Sequence, residues 1–256
     1  RAMRALWIVL LLGLVWKVAG QQPGELDLSF DGEGKVVLDS IGGFTGYPDL
    51  CLVERPAGGV LVCYTKVVAN QQVIQAAALN EDGSIEDQFG DQGYLTKDSI
   101  GIFAGIVGLN DGGFLMIWRA IVPQPALNAA PIIIERYLPS GVVDPGYGLG
   151  GRVTIEHAIT GLYINALLLA PDGQLLIAGS YGAGSGSWIC RVDHEGALDQ
   201  SFGMNGFRII PEIGAIHGLS VLSDGRISFI GSSEGPYRLP WSGLGSVGGP
   251  YAAPSR

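Results

Sequence analysis

Six side chains have the chemistry of a reaction centre or a metal site. Asp39, Asp98, Glu156 and Glu212 each close an apolar run, one acid per repeating unit, and His157 and His217 lie beside that set. Carboxylates gathered with imidazoles can hold a divalent metal such as calcium, or serve as acid and base in hydrolysis. On that reading Glu156, Glu212, His157 and His217 are the catalytic candidates. Asp39, Asp98, Glu156 and Glu212 are the candidate metal ligands. The plainer reading is that an acid ending a strand is solvated and a lone His belongs to the surface or the core. His194 sits in a turn closed by glycine and reads as structural. NEDG at 80–83 has the opening of a calcium loop without its later bidentate Glu. GAGSG at 182–186 is glycine-rich, but no Lys follows it, and Ser185 and Ser187 lack a nucleophile elbow.

These residues hang on a phrase written four times. GELDLSFDGEG at 24–34 recurs as GSIEDQFGDQG at 83–93, GVVDPGYGLGG at 141–151 and GALDQSFGMNG at 196–206. The first Gly, the aromatic (Phe30, Phe89, Tyr147, Phe202) and the last Gly all advance by 59, 58 and 55 residues. A period near that length with strand-like content means an array of sheet units, such as a propeller. The glycines permit turns, and the aromatic has the bulk to plug the space between neighbouring sheets.

Each unit reads as four strands. In the third, apolar runs cover 152–155, 162–170, 175–178 and 188–192, and Asp172-Gly173 turns the chain between the second and the third of them. The same Asp-Gly signal stands at Asp111-Gly112 and Asp224-Gly225, with Ala57-Gly58 in its place in the first unit. Such pairs supply the positive φ angles of a tight hairpin. The runs are too short and too often broken by glycine for helices, and their continuous hydrophobicity fits sheets covered on both faces.

Composition narrows the partners. Of 256 residues, 41 are Gly and only 15% are charged, which suits short strands and argues against disorder. The length accommodates one β domain or two smaller ones. The formal net charge is -9 with no Lys/Arg cluster, so a phosphate backbone is repelled and nucleic acid is excluded as a partner. Cys51 and Cys63 flank the turn at 56–58 and face each other across a hairpin, either as two core thiols or as a disulfide; Cys190 has no mate. No zinc spacing occurs.

The termini differ from the repeats. Residues 1–20 carry one basic residue, a short apolar run at 6–15 and small residues after it, the layout of an export signal and too short for a stable membrane span. A rival reading makes 14–18 a strand, because the same place before the later phrases holds one. Residues 235–256 are rich in Gly, Pro and Ser and show no strand rhythm, so they read as a loose tail.

The phrase, with a Pro-Asp-Gly hairpin about 30 residues before its clearest copy, resembles the delta-60 repeat family of bacterial β-propeller proteins. The resemblance covers roughly 24–231 and is strongest at 196–206. It implies a secreted or surface protein and brings no catalytic residues with it. By similarity to other propellers, the strand before each Asp-Gly turn is innermost and the strand after the phrase outermost. The expected fold is therefore all-β: a propeller of about four four-stranded blades over 21–234, closed by N-terminal strands at 14–18 and 35–38. The alternative is an open half-propeller that dimerises. The variable loops at 40–47, 98–103, 156–161 and 211–217 gather on the face opposite the Asp-Gly turns. The expected function is an exported binding or structural module taking a protein, glycan or small-molecule ligand on that loop face. The alternative is an ester or phosphoester hydrolase at the channel mouth, assisted by a metal.

Overall fold

The computed structural model describes residues 25–38, 50–68, 71–98, 101–121, 130–182, 184–232 and 242–247. Three four-stranded antiparallel meanders follow one another along the chain. The first is β1 (Leu50–Glu54), β2 (Val60–Val68), β3 (Gln71–Leu79) and β4 (Tyr94–Asp98). The second is β5 (Gly101–Gly108), β6 (Phe114–Ala120), β7 (Ile132–Tyr137) and β8 (Arg152–Ile155). The third is β9 (Tyr163–Leu169), β10 (Leu175–Tyr181), β11 (Gly186–Val192) and β12 (Phe207–Ile210). A fourth sheet holds β13 (Ala215–Val221), β14 (Ile227–Ser232) and β15 (Ser242–Val247). Among the described residues there is no helix, and none long and apolar enough to cross a membrane.

The expected strand order holds in the three complete sheets. The strand before each Asp-Gly turn, or before Ala57-Gly58 in the first sheet, is the inner edge, and these edges succeed one another, β1 beside β5, β5 beside β9 and β9 beside β13. The second and third sheets each bury one face on the sheet before and the other on the sheet after. Thus Leu61, Cys63 and Ile74 of the first sheet pack with Met116, Trp118 and Ile133 of the second. Leu115, Ile117 and Ile134 then meet Ile164, Ile177 and Trp188 of the third. Covering both faces explains why the strands lack polar alternation.

The phrase locks neighbouring sheets together. Its acid caps a turn: Asp27, Asp144 and Asp199 each accept a backbone N–H two residues on. The residue after its aromatic is hydrogen-bonded to the residue just before the next copy, Asp31 N–H to Asp82 O at 2.6 Å and Gly90 N–H to Ser140 O at 2.8 Å. In the second and third copies the aromatic rests on the first Gly of the next copy. A Cβ at Gly141 would lie 3.0 Å from the Phe89 ring, and one at Gly196 would lie 2.8 Å from Tyr147 Cζ, both at positive φ. No larger residue fits at such a position.

Phe89 and Tyr147 are buried, as expected of inter-sheet plugs, while Phe202 is half-buried with the Arg191 guanidinium over its ring at 4.9 Å. Phe202 belongs to the fourth copy, and Phe30 in the first copy is half-buried as well.

Two assignments at the ends change. The place beside β14, expected to be filled by 14–18, is taken by β15, which pairs antiparallel from Ile227↔Val247 to Ser232↔Ser242. That strand lies inside the stretch expected to be a loose tail. Ladder bonds use the backbone alone, so a run of low β-propensity can still pair with an edge that needs partners. Residues 35–38, expected as an outermost strand, form no ladder among the described residues. Instead Phe30, Val36 and Leu38 cover Val62, Tyr64 and Leu79 on the free face of the first sheet. Residues 1–20 and the loop at 40–47 lie outside the described residues.

Candidate functional site

Asp98, Glu156 and Glu212 are exposed at strand ends, and Asp39 lies outside the described residues. Among the described residues no three His, Cys, Asp or Glu side chains come together in a way that could hold a metal ion. His157 is half-buried, edge-on to Phe207, and both ring nitrogens are used. Its Nδ1 accepts the Ile159 N–H at 3.2 Å, so Nε2 carries the proton and donates to Ala130 O at 2.9 Å. Burial pushes its pKa below the ordinary value, which keeps it neutral. His217 is exposed, with Nε2 3.1 Å from Ser232 Oγ.

Concavity appears on the opposite face, among the Asp-Gly turns. A cleft of about 230 Å³ opens between the second and third sheets. Leu109, Leu115, Leu169 and Leu175 give it an apolar lining, and Asp111, Arg136, Tyr147, Asp193 and His194 supply polar groups. Arg136 projects from β7 and is held from two sides, by Asp111 Oδ2 at 2.5 Å and by Asp144 Oδ2 at 3.2 Å. Asp193 begins the turn after β11. Its Oδ1 accepts from Glu195 N–H at 2.9 Å and Ala197 N–H at 2.8 Å. Tyr147 is only 4% exposed, and its phenol pKa is pushed up to about 12, first by burial and then by the Asp193 carboxylate. The phenol therefore stays protonated at neutral pH.

The same place between the first and second sheets is nearly filled, with about 10 Å³ left. The two places are equivalent by their turns, in which Arg55 N–H bonds Gly59 O, Leu109 N–H bonds Gly113 O and Ala170 N–H bonds Gln174 O. Counting from those turns, Phe114 seals the first place where Leu175 lines the second. Phe114 stacks on Tyr137, with ring centroids 5.0 Å apart, and also meets Phe89. Arg55 lines the first place and pairs with Glu86, where the second has Leu109. Pro139 in the first is His194 in the second, each two residues before the first Gly of a phrase. Reading His194 as a turn residue in isolation hid this. A position-by-position comparison of the copies is the signal that would have found it.

No family model matches the chain, and no curated protein matches it. Among solved structures the chain is similar to an engineered GH43 glycoside hydrolase with endo-xylanase and exo-arabinofuranosidase activity, at 12% identity and a TM-score of 0.42. The match covers 76% of this chain and 37% of that one, so the chain spans well under half of the hydrolase's length. It is also similar to a candidate gluconolactonase, at 14% identity and a TM-score of 0.34, with 73% of each chain covered.

Proposed function

We propose that the protein is a repeat-built binding module of the delta-60 type, with its ligand site in the cleft between the second and third sheets. One observation carries this reading. Two inter-sheet places built on the same phrase differ more than tenfold in free volume, about 230 Å³ against about 10 Å³, and the open one holds the greater share of polar and charged groups. Small-molecule sites are concave, largely apolar and supplied with a few convergent polar groups, and this cleft has that make-up. The phrase supports the module reading as well, since its conserved spacing within the chain serves packing between sheets and leaves the residues around it free to vary.

The test is a ligand panel read by thermal shift, run on the wild type and on Leu175→Phe. A ligand that binds only the folded protein raises its midpoint by mass action. Leu175→Phe copies the residue that seals the first place. Ligands of the cleft should stabilise the wild type and leave the variant unchanged. A panel that stabilises both equally would put the binding surface elsewhere, with the loop face at 156–161 and 211–217 the next place to look.

A further inference from the structure

We propose that the cleft between the second and third sheets takes a small primary alkylammonium ion. The proposal rests on the binding reading above and names the ligand chemistry of that site. Charge is the first ground. One guanidinium, Arg136, faces two carboxylates, Asp111 and Asp144, and is compensated before any ligand arrives. Asp193 adds a third carboxylate. Both N–H donors it receives go to Oδ1, and among the described residues no cation pairs with it. The cleft wall thus carries surplus negative charge, on a chain whose formal net charge is -9. Such a field draws cations to a recess and repels anions.

Tyr147 is the second ground and is independent of the acids. It is 4% exposed, lines the cleft, and no hydrogen bond within the described residues satisfies its hydroxyl. That hydroxyl is not sealed from solvent, so it opens on the cleft, where a ligand can take the place of water. An ammonium placed between Asp193 and Tyr147 donates to the free carboxylate oxygen and to the phenol oxygen, with the ring beside it. Its alkyl tail then lies along Leu169 and Leu175. A neutral polyol would leave the Asp193 charge uncompensated in a half-enclosed space. The cleft is also smaller than the roughly 300–1,000 Å³ usual for ligand sites, which selects a short chain.

The experiment titrates the protein with n-butylammonium, n-butanol and butyrate, following cleft resonances by NMR and heat by calorimetry. Saturable binding of n-butylammonium alone is expected, weakening as salt rises. Asp193→Asn keeps an oxygen for the turn and should weaken binding about tenfold or more, the scale of one lost charge-assisted contact. Leu175→Phe should abolish it, and circular dichroism checks that both variants fold. Equal binding of n-butanol, or unchanged binding in Asp193→Asn, overturns the ammonium assignment and leaves the binding reading standing. Silence from all three probes overturns the assignment, and silence from the wider panel as well overturns the binding reading.

Discussion

The interface between the first and second sheets and the one between the second and third are built on the same phrase and come out differently. The first is sealed at the turn face by Phe114 and tied inside by charge. Glu135 on β7 is buried and takes Lys97 from β4 of the neighbouring sheet at 2.5 Å, Arg152 at 2.5 Å and the Tyr137 hydroxyl at 2.7 Å. Lys97 also sits over the Trp118 and Tyr137 rings. At the second interface the ladder positions matching Lys97 and Glu135 are Ile155 and Cys190, both in the apolar core. There the interior is apolar and the turn face is open. The repeat dictates how sheets lock together, and residues outside the phrase decide whether a given lock leaves room for a ligand.

The largest effect should come from unsealing the first interface. Phe114 is 1% exposed and held between Phe89 and Tyr137. Phe114→Ala should cost about 3–5 kcal/mol, the usual range for a core Phe, by denaturant unfolding. The converse change, Leu175→Phe, fills existing space and should shift stability by less than about 1.5 kcal/mol. If the two changes cost the same, the open cleft is not a void at all.

The buried ion pair comes next. Burial alone would raise the Glu135 pKa, but hydrogen bonds from Lys97, Tyr137 and Arg152 together bring it below its ordinary value. A carboxylate whose folded pKa is depressed adds stability above its unfolded pKa, near 4.5, and that stability is lost as pH falls through the folded value. Glu135→Gln should therefore cost about 1.5–3 kcal/mol at pH 7, the worth of hydrogen bonds to a charged group. The deficit should shrink as both proteins are titrated into acid. A deficit independent of pH would mean that the charge contributes nothing and only shape was lost.

How much of this was legible beforehand depends on what carried the signal. The period, the Asp-Gly hairpins and the strand order were legible because glycine at positive φ and apolar runs leave marks in single residues. Gly196 is such a mark, and Phe89 and Tyr147 behaved as plugs. The cleft was not legible in that way, because it arises from a difference between equivalent positions: Leu175 against Phe114, His194 against Pro139, Leu109 against Arg55. Strand β15 was hidden for another reason. Its pairing with β14 runs through the backbone, and its residues, SGLGSV, carry little β-propensity.

The phrase lock itself can be tested at Gly196. It has φ +92, and a Cβ there would collide with Val153 Cγ2 and fall 2.8 Å from the Tyr147 ring, so Gly196→Ala combines backbone strain with a clash. The cost should be about 1–3 kcal/mol, the range for a residue held in a disfavoured conformation. Gly173 has φ +85 with open space around it, so Gly173→Ala carries the strain alone. Equal costs at the two positions would show that Val153 and Tyr147 both give way freely, and that the lock is softer than its geometry implies.

The smallest effect is expected at the end of the array. Phe89 and Tyr147 each lie under the next copy of the phrase, but among the described residues no later copy lies above Phe202. One side of its ring packs with the cluster that joins the third and fourth sheets, and the Arg191 guanidinium covers a face at 4.9 Å. Fully burying a Phe is worth about 1.5–3 kcal/mol, so a half-buried ring carries roughly half of that, with the cation contact adding about 0.5–1 kcal/mol. Phe202→Ala should then cost about 1–2 kcal/mol where Phe89→Ala costs about 3–5 kcal/mol. Arg191 also pairs with Asp199, whose carboxyl is held below its ordinary pKa by Ser201 and Arg191 against the opposing pull of burial. Losing the ring should leave that pair in place, so Phe202→Leu, which restores apolar cover without the π face, should recover most of the loss. A Phe202→Ala penalty as large as that at Phe89 would mean that the ring is covered in solution by something that stands where the next phrase would be.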